Sequence, residues 1–160
     1  MKSQKQLRGL FIYSEGALFW LVDRPPKKTC GSPAGWLHPS GYVYIGIDGK
    51  NYAAHRLIFL YHHGYLPEYI DHIDGNSLNN KIENLRQCTF SQNLHNSKLQ
   101  TNNTSGVKGV SFSKADNKWR ARIQVNGESH FLGQYSNIDD AERVVKNIRV
   151  KLHKEFANHG

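Results

Sequence analysis

The stretch D-H-I-D-G-N-S-L-N-N-K-I-E-N-L-R, residues 71–86, decides how this chain is read. It opens on a carboxylate next to an imidazole, Asp71 and His72. It continues through a turn signal, Asp74-Gly75, into an asparagine-rich loop. Hydrolysis of a phosphodiester needs a base to activate water and a cation to stabilise the added negative charge and the leaving oxygen. A hard ion such as Mg²⁺ asks for few protein ligands, all oxygens, because it keeps waters and takes substrate oxygens. Asp71 and His72 supply one group for each task. Neighbours on a strand point to opposite faces, so they share a phosphate only where the backbone twists or turns. Asn84 and Asn93 offer neutral oxygens and amides, one to complete a metal site and one to orient the imidazole. A solitary histidine usually has no chemistry, and asparagine-rich segments are usually turns and caps. The pair alone is therefore a weak signal.

Working outward, residues 53–63 carry a helical pattern with Leu57, Ile58 and Tyr61 apolar, stopped by Gly64 and Pro67. His62 and His63 end it, where an imidazolium suits the negative end of the helix dipole. Residues 89–97, capped by Thr89, form a second short helix. Upstream, Leu10–Tyr13, Ala17–Val22 and Tyr42–Ile47 read as short strands separated by Gly, Pro and Ser clusters. Asp48-Gly49 is a hairpin turn into Tyr52.

The ordered string resembles the HNH endonuclease family, in the branch found among phage and intron homing endonucleases. The likeness runs from G-Y-V-Y-I (41–45) through A-H-R-L-I (54–58) and residues 71–86 to S-Q-N-L-H-N (91–96). It implies a ββα-metal fold, with a two-stranded ribbon, a helix and one divalent ion. By resemblance, His72 is the general base, Asp71 and Asn93 are the metal ligands, and Asn84 holds His72 by hydrogen bonding. Mg²⁺ is the expected ion and Mn²⁺ a working substitute. His55 matches the His-Arg pair upstream, with packing favoured over a phosphate contact. His95 is assigned no role.

Residues 98–106, K-L-Q-T-N-N-T-S-G, have no periodicity and read as a linker. Beyond them, Trp119, Ala121, Ile123 and Val125 alternate with Arg120, Arg122 and Gln124, the mark of a half-buried strand. Trp119 belongs to the core side. Asn126-Gly127 signals a hairpin, and Phe131–Tyr135 returns. Ser136 or Asn137 then caps a helix with Asp139 and Asp140 in its first turn. Its apolar stripe is Ile138, Ala141, Val144, Val145, Ile148 and Leu152. S-G-V-K-G-V-S-F (105–112), K-W-R-A-R-I-Q-V (118–125), H-F-L-G-Q-Y (130–135) and D-D-A-E-R-V-V (139–145) resemble the APETALA2-type DNA-binding domain. That family reads DNA with a three-stranded sheet backed by a helix. The resemblance places Lys108, Arg120, Arg122 and Gln124 on the sheet strands as DNA contacts. Ser111 stands where plant members carry arginine, so their sequence preference does not transfer.

The expected fold is therefore α+β. A ββα-metal nuclease domain with N-terminal strands spans 1–97, a linker 98–106, and a small sheet-and-helix domain 107–160. The 160 residues carry 21 Lys plus Arg against 13 Asp plus Glu, a net charge of +8. Residues 1–100 hold 11 basic and 7 acidic groups and residues 101–160 hold 10 and 6, so each part is +4. That balance suits a polyanionic partner. No apolar run approaches the roughly 20 residues of a membrane span. Cys30 and Cys88 are too few for a Cys₄ zinc site and are expected as free thiols. The expectation is a homing-type DNA endonuclease acting on double-stranded DNA in the cytoplasm of a phage-infected cell. One such site cuts one strand at a time, as a monomer or a dimer. The rival from another class is a non-catalytic DNA-binding regulator. Structured-RNA binding is weaker, for want of an aromatic stacking surface.

Overall fold

The computed structural model describes residues 2–23, 30–96, 99, 102–125 and 127–159. The chain forms two compact units, Met1–Cys88 and Thr89–Gly160. The described residues form a mixed α and β structure of small sheets and four α-helices. No helix among the described residues is long and apolar enough to cross a membrane.

The first unit opens on a helix where strands alone were expected, α1 (Gln4–Leu10). The signal was local: Ser3 accepts from the Gln6 N–H while the Gln6 side chain accepts from the Ser3 N–H, a capping box. Next come β1 (Phe11–Ser14) and β2 (Ala17–Trp20), an antiparallel pair with Phe11 opposite Trp20. Their turn residues, Glu15 and Gly16, both have positive φ, the geometry that matches strand twist in two-residue hairpins. β3 (Trp36–Leu37), β4 (Val43–Ile47) and β5 (Lys50–Ala53) form a second sheet in that order. Asp48-Gly49 turns the β4–β5 hairpin as expected, at φ 49° and 77°.

β5 runs directly into α2 (Ala54–His63), which Gly64 ends in a left-handed conformation at φ 79°. β6 (Tyr69–His72) and β7 (Leu85–Cys88) pair antiparallel, with a short 3₁₀ turn, Ile82–Asn84, leading into β7. Leu7, Phe11, Leu18, Trp20, Ile45, Ile47, Leu57 and Ile58 make the core of this unit. All are almost completely removed from water. Burying each large apolar side chain is worth about 1.5–3 kcal/mol, and the cluster fixes α2 under the sheets. His62 departs from the dipole argument. Burial, then His63 and Arg8, lower its pKa and disfavour the imidazolium.

The second unit starts with α3 (Phe90–His95), where Thr89 and Gln92 form another capping box. β8 (Val110–Ser113), β9 (Lys118–Val125) and β10 (Glu128–Tyr135) make an antiparallel sheet in the order β10-β9-β8. Asn126 of the expected hairpin turn lies outside the described residues, but Val125 and Glu128 pair across it. Asn137 caps α4 (Ile138–His153) by accepting from the Asp139 N–H. Val110, Ala121, Ala141 and Val145 form the core, rimmed by Val107, Trp119, Leu132, Tyr135 and Ile138.

Two expectations change here. Leu152 was placed in the apolar stripe of α4 and is 50% exposed, while Arg149 and His153 are buried. The buried positions Ala141, Val145, Arg149 and His153 recur every four residues, so Leu152 falls off that face. Lys108 was placed on a sheet strand and lies instead in a turn just before β8. The expected 98–106 linker falls later than the division between the units. Its residues 98, 100 and 101 lie outside the described set. Asn103 and Ser105 are bonded onto the Val107 carbonyl, and Ser105 onto the Val110 carbonyl as well. α3 belongs with the second unit, where the Asn158 amide donates to the Asn96 carbonyl at 2.8 Å.

Candidate active site

β6 carries Asp71 and His72 as its last two residues, both only 6% exposed. The chain turns immediately, with the Gly75 N–H on the His72 carbonyl at 2.8 Å. The partners of the two side chains separate as strand alternation requires. Asp71 lies opposite Arg86 in the β6–β7 ladder. Arg86 donates from Nε to Asp71 Oδ2 at 2.9 Å, and its Nη2 lies 2.8 Å from the same oxygen as an ion pair. His72 meets the loop and α2 instead.

His72 Nε2 lies 2.9 Å from Asn80 Oδ1, inside the protein. An amide oxygen only accepts, so Nε2 carries a proton in this contact. The loop that presents Asn80 is tightly bonded. Asn84 donates to Asp74 Oδ1 and to the Asn79 carbonyl, and accepts from the Asp74 N–H. Asn79 donates to Asp74 Oδ2, and the Ser77 hydroxyl to the Gly41 carbonyl. Burial pushes the Asp74 carboxyl up. Bonds from the Asn79 side chain, the Asn76 N–H and the Asn84 side chain outweigh it, so its pKa is lowered overall.

Asn84 was expected to hold His72 directly. Its three side-chain bonds fasten the Asp74–Asn79 turn, and the contact with the imidazole falls to Asn80. Asn80 and Arg86 were not anticipated. Asn80 was hidden among asparagines that read equally well as turn residues. Arg86 was legible only once β6 and β7 were known to pair in register.

His55, the second residue of α2, packs its ring 5.2 Å from that of His72. Tyr42 lies 5.4 Å from His55 and 6.1 Å from His72. Burial, then the neighbouring His72 and Arg56, lower the His55 pKa to about 3. His55 is thus a neutral ring packed against the His72 imidazole.

Among the described residues no three His, Cys, Asp or Glu side chains gather into a metal cage. The first unit offers a hard ion the Asp71 carboxylate, already fixed in direction by Arg86. Asn93 stands on α3, in the second unit. A carboxylate is a hard oxygen donor, so Asp71 suits a hard cation.

In the second unit, Arg120, Arg122 and Gln124 share one face of β9, opposite Ala121 and Ile123, which are buried. Arg120 is paired with Asp116, which also accepts from Gln134 and Ser113. Arg122 and Gln124 are exposed.

The HNH endonuclease family model matches residues 52–95, which contain β6, β7 and the whole Asp71–Arg86 loop. The chain is 39% identical over 96 residues to Protein 3.8 of Escherichia phage T7, covering 59% of this chain and 78% of that one. It is 34% identical to an uncharacterized HNH endonuclease of Acanthamoeba polyphaga mimivirus, over 76% of this chain and 64% of that one. It is also 34% identical to an SPbeta-prophage protein of Bacillus subtilis (strain 168) whose name places it with the HNH homing endonucleases. That match covers 64% of this chain and 66% of the other. The chain therefore spans just under two thirds of the last two relatives. No solved structure gives a significant match. The chain belongs to the HNH endonuclease family, a class of DNA endonucleases that are generally metal-dependent. These three relatives come from a phage, a mimivirus and a prophage.

Proposed function

We propose that this protein is a metal-dependent, homing-type DNA endonuclease that works in the cytoplasm of an infected cell. His72 is its general base. The observation that supports the reading is the buried Nε2 contact to Asn80 Oδ1, which assigns a proton to Nε2 and makes Nδ1 the nitrogen proposed to act as base. A water at Nδ1 loses its proton to the imidazole as it attacks phosphorus. Asp71 and Asn93 are the expected protein ligands of Mg²⁺, with Mn²⁺ as substitute, on two different units of the chain. The ion, when bound, stabilises the charge of the pentavalent phosphate and of the departing 3′-oxygen. Arg86 holds the Asp71 carboxylate in direction, and Asn84 keeps the loop that delivers Asn80.

The second unit is proposed to bring the DNA, through the APETALA2-like sheet. Arg120, Arg122 and Gln124 face one way from β9, which supports a contact surface. Lys108 joins them from the turn before β8. Strand residues two apart advance about 6.5–7 Å, close to the phosphate spacing of one DNA strand.

A supercoiled-plasmid assay tests the whole reading. The wild-type protein nicks in Mg²⁺ and is silent in EDTA. His72→Ala loses about 10²–10⁴ in rate, the usual worth of a general base, while duplex binding stays intact. Metal-dependent binding without any nicking would leave the non-catalytic regulator standing instead.

A further inference from the structure

β3 and β4 pair with Trp36 opposite Tyr44 and Leu37 opposite Val43. The His38 N–H bonds the Tyr42 carbonyl at 2.9 Å, which carries the same register one rung further. Directly opposed residues share a face of a sheet, and so do residues two apart on one strand. Val43, Ile45 and Ile47 of β4 turn to the core. Trp36, His38, Tyr42 and Tyr44 therefore stand together on the other face. His38 and Tyr44 meet diagonally, with ring centres 5.0 Å apart. Trp36 is 42% and Tyr42 37% exposed, His38 is exposed and Tyr44 is half-buried. No aromatic stacking surface was expected from the sequence. This one is assembled from two strands, and in each its rings alternate with other residues.

The patch runs into the candidate active site within the first unit. The Tyr42 ring lies 5.4 Å from that of His55 and 6.1 Å from that of His72. The Ser77 hydroxyl donates to the Gly41 carbonyl at 2.7 Å, which ties the β3–β4 hairpin to the loop after His72. A DNA strand with a phosphate at His72 therefore brings its neighbouring nucleotides within reach of these rings. The chemistry of the patch suits them. Every base has a π face, so aromatic side chains stack on bases whatever the sequence. None of the residues of β3, β4 or β5 is acidic, so no carboxylate on those strands repels a phosphate there. In a regular duplex the base faces are covered by the neighbouring pairs, so the occupant is a base that has left the stack.

We propose that this outer face of the β3–β4 hairpin is a stacking platform for unpaired bases of the DNA strand that enters the active site, with Trp36 and Tyr42 as its most open rings. The proposal takes its substrate from the nuclease reading above, and its test reads binding rather than cleavage.

The test measures, in EDTA, the affinity of the full chain for a fluorescein-labelled short duplex with a single-stranded thymidine overhang. The comparison is the same duplex with an overhang of abasic sites, which has equal charge and no bases. Stacking is worth about five- to a hundredfold in affinity per base, so the wild type should hold the thymidine probe at least about fivefold more tightly. Trp36→Ala should lose most of this difference while binding the abasic probe as the wild type does. Trp36→Phe keeps a ring and should retain most of it. Leu37→Ala, next along β3 but on the other face, should leave it unchanged. Equal affinities of the wild type for the two probes, or a thymidine preference unaltered in Trp36→Ala, overturns the proposal. Tighter binding of a matching uridine RNA overhang also overturns it and assigns the rings to RNA. The two readings fail separately. A Trp36-dependent preference in a protein that does not nick in Mg²⁺ removes the nuclease reading and leaves the platform standing. Nicking by a wild type that holds both probes equally removes the platform alone.

Discussion

The chemistry proposed for His72 depends on one amide oxygen, that of Asn80. Without Asn80 the ring loses the acceptor that fixes its tautomer and direction, and the proton is free to sit on either nitrogen. Asn80→Ala should therefore lower kcat by about ten- to a hundredfold, a part of the 10²–10⁴ that a general base supplies. KM should change little, and the acidic limb of the pH–rate profile should move. An unchanged profile with reduced stability would reduce Asn80 to a loop anchor. His55 sets a second pH dependence. Its pKa is about 3 in the folded chain, lowered first by burial and then by His72 and Arg56, against about 6.5 when unfolded. The unfolded chain thus binds the proton more readily. The stability associated with neutral His55 is complete above about pH 6.5 and falls by up to about 1.4 kcal/mol per pH unit below it, until about pH 3. Urea unfolding of His55→Phe should be flatter than wild type between pH 6.5 and 4.5.

α4 shows how an element is read correctly and yet faced wrongly. Its cap, acidic first turn and periodicity were all visible in residues 136–152. A stripe read from apolar residues alone includes Leu152 and omits Arg149 and His153. The four-residue repeat that follows Ala141 and Val145 turns those two polar residues inward, where they have partners: Arg149 on the Lys108 carbonyl, His153 Nε2 on the Gln124 carbonyl. Calorimetry distinguishes the faces. Val145→Ala removes fully buried methyl groups and should cost roughly 2–3 kcal/mol. Leu152→Ala, half exposed, should stay within about 0.5 kcal/mol of wild type. α1 went unread for the opposite reason. Its seven residues are too few for a clear apolar period, and only the Ser3–Gln6 capping box betrayed it.

On the scale of the whole molecule, the excess of eight positive charges is spread evenly over both parts of the chain, so salt governs its meeting with DNA. Arg122, exposed on β9, is the simplest probe. Arg122→Ala should reduce the magnitude of the slope of log K against log salt by about 0.9 for one lost phosphate contact. Fluorescence anisotropy on a duplex between 50 and 200 mM salt reads it, and an unchanged slope would mean that Arg122 meets no phosphate. Arg120 should have a smaller effect, because Asp116 already neutralises part of its charge.

The sequence by itself determined the mixed α and β class, the hairpin at Asp48-Gly49, a helix read at 53–63 and another after a Ser136 or Asn137 cap, and the Asp71–His72 pair that led to the nuclease family. Those are local facts: period, caps, turn chemistry and an ordered motif all lie within a few residues of one another. The tertiary structure alone decided who touches His72 and Asp71. Asn80, His55, Tyr42 and Arg86 are brought to that spot by the packing of α2, the turn before β4 and the β6–β7 ladder. The roles of Asn84 and Arg149 waited on the fold for the same reason. A hydrogen-bond partner is chosen by position in space, and a string of asparagines or a lone arginine carries no mark of which one the folded chain will place within 3 Å.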